Sequence, residues 1–357
     1  MGVIGKMDQT LKMFKELTEA HGVPGNEREV RKVMEKYIIP FADSIQYDHL
    51  GSLIAEQKGT SEGPRIMVAG HLDEIGFMVT KITEEGFLRI EPLGFWWTQN
   101  MMAQKVKVIT RQKEVKGIIG FKFPETNREK TVEMKDMFID IGAESKEQAV
   151  EYGVRPGDMV IPDTELTQLE NPKLLVAKAW DNRIGCSITI ELLKQLKETE
   201  HPNTVFGVGT VQEEIGCRGA KTSTEAVAPD VMFAVDVTIA NDVPGDKSTS
   251  KMGKGPVIFI KDSYHIPHKG LLDFVIETAE EEQIPYQLDA VSGGTDAGAA
   301  QYFGRGVPSI AITVPTRYIH SHTGLLNRDD FENAVALIKS CIRKMDSTWL
   351  KNLHDNQ

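Results

Sequence analysis

Glu213 and Glu214 stand side by side in the stretch TVQEEIGCRGA (210–220), just after an apolar, β-branched run, TVFGVGTV (204–211). The run reads as a buried strand. Two adjacent carboxylates at a strand's carboxyl end destabilise each other unless a cation or a proton intervenes. A solvated acidic turn is the plain alternative, since Glu is mostly exposed. Other ionisable residues fall at the same kind of place. His71 follows RIMVA (65–69), Asp181 follows LLVAKA (174–179), Asp236 follows FAV (233–235), and His320 comes shortly after Thr313-Val314-Pro315. In open α/β sheets the carboxyl ends of the strands are where ligands bind. Two imidazoles and several carboxylates meeting there make an N/O set suited to zinc, cobalt or manganese. Three ligating carboxylates nearly balance two divalent ions and a hydroxide, with one carboxylate bridging ions ~3.5–4 Å apart. Spacing alone leaves this open: no HExxH motif is present, and Asp181 before Asn182 reads equally as a helix N-cap.

The elements that must hold these residues alternate along the chain. Leu11, Phe14 and Leu17 suggest a first helix, and Val30, Val33, Met34, Tyr37 and Ile38 recur at helical spacing after an expected cap at Asn26. Strands are expected at 52–55 and 65–69. After Pro172 come strands at 174–179, 204–211, 231–235, 257–260 and 309–314, with helices at 182–196, 271–282 and 329–345. Such alternation implies a three-layer α/β/α domain around a mostly parallel or mixed sheet. Between about Gly76 and Asp163 the texture changes to short alternating runs punctuated by Gly and Pro, with one helical segment, SKEQAVEYG. This reads as a small β-barrel-like domain. The expected organisation is a discontinuous catalytic unit, 1–75 and 164–357, with an inserted β-domain at 76–163. The polar stretch 241–254 reads as a surface loop.

The chain has 357 residues, enough for roughly two domains. Its 52 acidic and 41 basic residues give a formal charge of -11, and without a Lys/Arg-rich run nucleic acid is a poor partner. No stretch approaches the ~18 apolar residues of a membrane span, and the first residues lack the apolar core of a leader, so a cytoplasmic protein is expected. The three cysteines, without CxxC spacing, argue against a disulfide framework or a thiolate zinc site. Cys217, three residues after Glu214, could sit near the chemistry, but reads first as a small buried apolar filler.

GHLDEIGFMV (70–79), AWDNRIGC (179–186), TVQEEIGCRGA (210–220), AVDVT (234–238), SGGTDAGA (292–299) and PTRYIHS (315–321) together resemble the M42 family of dinuclear metallo-aminopeptidases. That family takes in archaeal tetrahedral aminopeptidases, bacterial glutamyl aminopeptidases and relatives described as endoglucanases. The resemblance runs in order over nearly the whole chain. It implies that His71, Asp181 and Asp236 hold one ion and Asp181, Glu214 and His320 the other, zinc first, with cobalt or manganese as alternatives. Asp181 would be the bridge, Glu213 the general base, and Asp73 the partner that orients His71. A hydroxide held between the ions would attack the peptide carbonyl, releasing N-terminal residues from short peptides one at a time. The inserted β-domain resembles the family's dimerisation domain, which implies self-association toward a dimer-based homo-dodecamer.

The same motifs suggest lesser roles. Gly294 and Thr295 would form a turn close to substrate, with Asp296 capping the following helix. Arg317 and Tyr318 either line the cleft or pair structurally. His322 competes with His320 as a ligand, and the family pattern selects His320. Phe95, Trp96 and Trp97 read as core or interface aromatics, His265 and His268 carry no site, and His21 and His354 are expected to be solvated. Two other functions compete. A metal-independent glycoside hydrolase of endoglucanase type needs paired carboxyl groups ~5 Å or more apart and leaves the imidazoles unexplained. A non-catalytic assembly scaffold predicts eroded ligands, and none is eroded.

Overall fold

The structure is a computed structural model that describes residues 8–122, 131–246 and 249–355. The reading of the first seven residues, and Lys247 and Ser248 of the expected surface loop, lie outside the described residues.

Four parallel strands, Thr204–Thr210, Arg65–His71, Val231–Ile239 and Ser309–Arg317, lie side by side at the centre of an 11-stranded mixed sheet. Antiparallel strands extend it on both sides, including Leu53–Lys58 next to Thr204–Thr210 and Gly324–Asn327 next to Ser309–Arg317. Side chains alternate along the central strands, and both faces are apolar, as a doubly covered sheet requires. Ile66, Val68, Phe233, Val235, Ile310 and Ile312 face one core, built with helices Gln9–Glu19, Arg28–Ile38, Trp180–Lys197, Lys269–Glu281 and Arg328–Lys344. Met67, Ala69, Met232, Ala234 and Ala311 face the other, with Val227 of helix Arg218–Val227 and Ala297 and Ala300 of helix Asp296–Ala300. The architecture is therefore three-layer α/β/α.

Within the first layer Trp180 meets the edge of Phe14 at 5.5 Å between ring centroids, and Phe14 meets Phe331 at 4.9 Å. Burying each such ring contributes on the order of 1.5–3 kcal/mol. The helix Trp180–Lys197 crosses the sheet closely because Gly70 and Gly185 meet without side chains. A Cβ on Gly70 would lie 2.5 Å from the Gly185 carbonyl carbon. This contact brings the start of the helix, with Asp181, against the strand ends.

The strands Gly76–Ile82, Leu88–Leu93, Met137–Asp140, Glu114–Phe121, Lys105–Ile109 and Met159–Pro162 close into a barrel. Phe77, Val79, Leu88, Val106, Ile119 and Ile139 fill it. Trp96 seals one end, stacked on Phe77 at 4.7 Å, with its indole N–H given to the Gly76 carbonyl.

Local details depart from the sequence reading. Asn26 caps nothing: the helix begins at Arg28, and Glu27 turns back to accept the Gly25 and Gln212 amides. Asp181, as its place in AWDNR and the companion motifs implies, is not the cap of its helix. Asn182 takes that part, accepting the Gly185 amide at 2.9 Å and donating to the Val235 carbonyl at 2.8 Å. The helix Arg218–Val227 was not foreseen because its stripe is made of small residues. His21 is half-buried rather than solvated, and burial pushes its pKa down.

Candidate metal centre

The register of the central strands sets the site. Gly209 and Thr210 pair with Gly70 and His71, and Ala234 pairs with Ala69, so Asp236 runs level with His71 on the neighbouring strand. The turn carrying Glu213 and Glu214 leaves the strand end beside them. Asp73 fixes that turn: its two carboxylate oxygens accept the main-chain amides of Glu213 and Glu214, each at 3.0 Å. His71 Nδ1 lies 3.0 Å from the main-chain carbonyl of Asp73 and 3.6 Å from its carboxylate. The expected orientation of His71 by Asp73 thus runs mainly through the backbone, while the carboxylate holds the two glutamates.

Asp181 sits between the imidazoles. Its Oδ1 lies 3.0 Å from His71 Nε2 and its Oδ2 lies 3.1 Å from His320 Nε2. Asp236 Oδ1 and Glu213 Oε2 are each 3.8 Å from His71 Nε2, and Glu214 Oε2 is 3.5 Å from His320 Nε2. Two groups of donor atoms share Asp181, His71 with Asp181 and Asp236, and Asp181 with Glu214 and His320; His71 also groups with Glu213 and Glu214, each set within a 4.8 Å span.

The electrostatics suit a cation. Burial pushes Glu214 well above the usual carboxylate range, and the charges of Asp181 and Glu213 add to it. Burial does the same to Asp236, with Asp181 and Glu213 again contributing against the opposing His71. Glu213 is pushed up to about 7 by burial; His71 opposes, and Asp296, Asp73 and Asp181 reinforce. Asp181 goes the other way: despite burial, hydrogen bonds from His320 and His71 hold it well below the usual range. Both imidazoles are raised against burial, His71 chiefly by Glu213 and Asp181, and His320 chiefly by Asp181. Crowded carboxylates hold protons where a cation would otherwise sit. Glu214 Oε1, buried without a hydrogen-bond partner, is a further free donor. Divalent ions fit this N/O set.

The cluster opens into a cavity of about 830 Å³, with Gly294 and Thr295 on one wall. Phe95 and Trp97 form another, 70% and 56% exposed, so only Trp96 of the three aromatics is core. Arg317 does not line this cavity; its guanidinium is paired with Asp242 at 2.6 Å. His322 is buried against Trp96, and among the described residues it belongs to neither donor group. Asp296 does not cap a helix. Its buried Oδ2 accepts the Thr210 hydroxyl at 2.5 Å. Cys217 is no apolar filler, since its thiol donates to Glu213 Oε1 at 3.2 Å.

Sequence reading missed two further contributors. Asn100, from the barrel, donates to the His320 carbonyl at 3.3 Å. Lys178 and Glu74, next to the site residues in sequence, form a buried pair at 2.6 Å that Arg183 joins at 3.1 Å. A Lys just before AWD and a Glu just after HLD were visible, but nothing in their spacing linked them.

The family model described as M42 glutamyl aminopeptidase matches residues 51–337. The chain belongs to the M42 family. A second model, described as AMPT, matches residues 8–34. The chain is similar to the crystal structure of a TET aminopeptidase from a marine sediment archaeon of the Thaumarchaeota, 44% identical over 97% of this chain and 99% of that one, with a TM-score of 0.94. It is also 37% identical to the glutamyl aminopeptidase of Lactococcus lactis, over 93% of this chain and 96% of that protein. The TET1 peptidase of Pyrococcus horikoshii, which can assemble into a tetrahedron or a large octahedral shell, is 33% identical over 94% of this chain and 100% of that one, with a TM-score of 0.84.

Proposed function

We propose that this M42 protein is a dinuclear metallo-aminopeptidase that binds two divalent ions per chain, zinc first, and removes N-terminal residues from short peptides. The observation that carries the reading is Asp181, one oxygen toward each imidazole, shared by the two donor groups. His71, Asp181 and Asp236 would hold one ion and Asp181, Glu214 and His320 the other. When bound, such a pair lowers the pKa of a water and polarises the scissile carbonyl.

The remaining chemistry belongs to side chains. Glu213 lies outside both Asp181-containing donor groups yet only 3.8 Å from His71 Nε2, and Asp73 fixes its backbone. A carboxyl raised to about 7 is suited to take a proton from water and return it to the leaving amine near neutral pH. The carboxylates lining the cavity favour the free ammonium of a peptide N-terminus, and the turn with Gly294 and Thr295 lets the substrate backbone come close. Asp73 is a positioning residue for Glu213 and Glu214. Arg317, engaged by Asp242 and outside the cavity lining, has a structural part and not a substrate-binding one. Metal-independent glycoside hydrolysis leaves His71 and His320 without a part.

We further place the boundary of the inserted unit at 76–163 and assign its barrel to dimerisation, with dimers building a dodecamer. The Pyrococcus horikoshii assembly supports that reading. Among the described residues no helix is long and apolar enough to cross a membrane, in keeping with a cytoplasmic site of action.

The test is hydrolysis of peptides with free or N-acetylated ends by chelator-treated protein, with zinc, cobalt or manganese restored. Release of single residues from free ends only, and only with metal, is expected. Cleavage of acetylated peptides or of a β-glucan without metal contradicts the reading.

A further inference from the structure

Glu213 turns Oε2 toward His71, and at its other oxygen, Oε1, lies a group that the mechanism above does not use. Glu213, Cys217 and Asp296 bring a carboxylate oxygen each and a thiol within 4.8 Å of one another. Cys217 Sγ is 3.2 Å from Glu213 Oε1. Asp296 is 3% exposed; Thr210 satisfies its Oδ2, but its Oδ1 has no hydrogen-bond partner. A buried, unpartnered carboxylate oxygen is costly, and it lies beside a thiol and a second carboxylate.

We propose that Glu213, Cys217 and Asp296 form a third, inhibitory divalent-cation site, selective for thiophilic ions such as zinc or cadmium. Before an ion binds, Cys217 is a neutral thiol that donates its proton in a hydrogen bond to Glu213, and the charge lies on the two neighbouring carboxylates, which one divalent ion balances. The thiol proton leaves to solvent as the ion binds. A mixed S/O set favours zinc or cadmium over manganese or magnesium. An ion here takes the carboxylate of Glu213 out of proton transfer, so excess zinc switches the enzyme off while the two-ion centre stays loaded. The inhibitory consequence rests on Glu213 being the base; the site itself does not.

The experiment uses full-length, zinc-loaded protein and its Cys217→Ala and Cys217→Ser variants. Peptidase activity is followed against added zinc, and thiolate-to-metal ultraviolet absorption against added cadmium. Wild type is expected to lose activity at least tenfold in excess zinc and to gain the cadmium band. Both variants should keep activity in excess zinc and show no band. Absence of the band in wild type, or its persistence in the variants, overturns the site. A band that appears without loss of activity upholds the site and removes Glu213 from the role of base.

Discussion

The carboxylate of Asp73 is a clamp on Glu213: its Oδ1 accepts the Glu213 amide at 3.0 Å, and its other oxygen takes the next amide along. An acceptor pair cannot be replaced by an amide, because one face of Asn is a donor. Asp73→Asn should lower turnover by about 10–100-fold, the usual cost of losing a partner that orients a metal site. Steady-state kinetics with metal analysis checks this. Unchanged turnover would mean that the turn holds itself.

Asp181 is the one residue shared by both donor groups. Asp181→Ala should therefore remove both ions rather than one, whereas Asp236→Ala should weaken one. Metal content per chain after dialysis distinguishes the two. Loss of a single ion from Asp181→Ala would contradict a bridge.

These features were unequally legible. Strand alternation is a local pattern, so the three layers and the barrel could be read from spacing, and residues at the ends of parallel strands must share an edge. That is why His71, Asp181 and Asp236 could be placed together before any contact was known. The failures lie where a distant partner decides. Arg317, open between lining the cleft and pairing structurally, is decided by Asp242, Cys217 looks apolar until the turn brings it to Glu213, and Asp296 looks like a cap until Thr210 turns it inward. The barrel's Phe95 and Trp97 follow the same rule, since only the packing of two units puts them on the cleft.

Those two aromatics give a substrate-binding prediction. They line the cavity outside the donor groups, so their contacts should serve ground state and transition state alike. Trp97→Ala should raise KM several-fold and leave kcat nearly unchanged. A fall in kcat with constant KM would place Trp97 in the chemical step.

The Lys178–Glu74 pair is fully buried, with Lys178 lowered to about 8 by burial against the pull of Glu74. Removing one member of a buried pair costs about 3–5 kcal/mol. Lys178→Met should fall at the low end, because Arg183 still reaches Glu74. Chemical denaturation measures it, and a loss well below ~1 kcal/mol would show that Arg183 alone suffices.

Asp330 gives a pH dependence. It is buried and accepts the Gly253 and Gly255 amides at 2.6 and 2.8 Å, yet burial outweighs these bonds and raises its carboxyl from 3.8 to about 6. The folded chain then binds this proton more tightly than the unfolded one. The group's contribution is whole below pH 3.8 and declines as pH rises to about 6. At ~1.4 kcal/mol per unit, wild type should lose up to about 3 kcal/mol that Asp330→Asn does not. Denaturation of metal-free protein at the two ends of that window should show the difference; parallel curves would contradict it.

The central claim is a two-ion centre served by a separate base, and the most direct measurement is metal content beside turnover for Glu213→Gln. Two ions per chain with turnover lower by orders of magnitude is the predicted result. Near wild-type turnover, or loss of the ions themselves, would contradict it, the first by moving the base elsewhere and the second by making Glu213 a ligand.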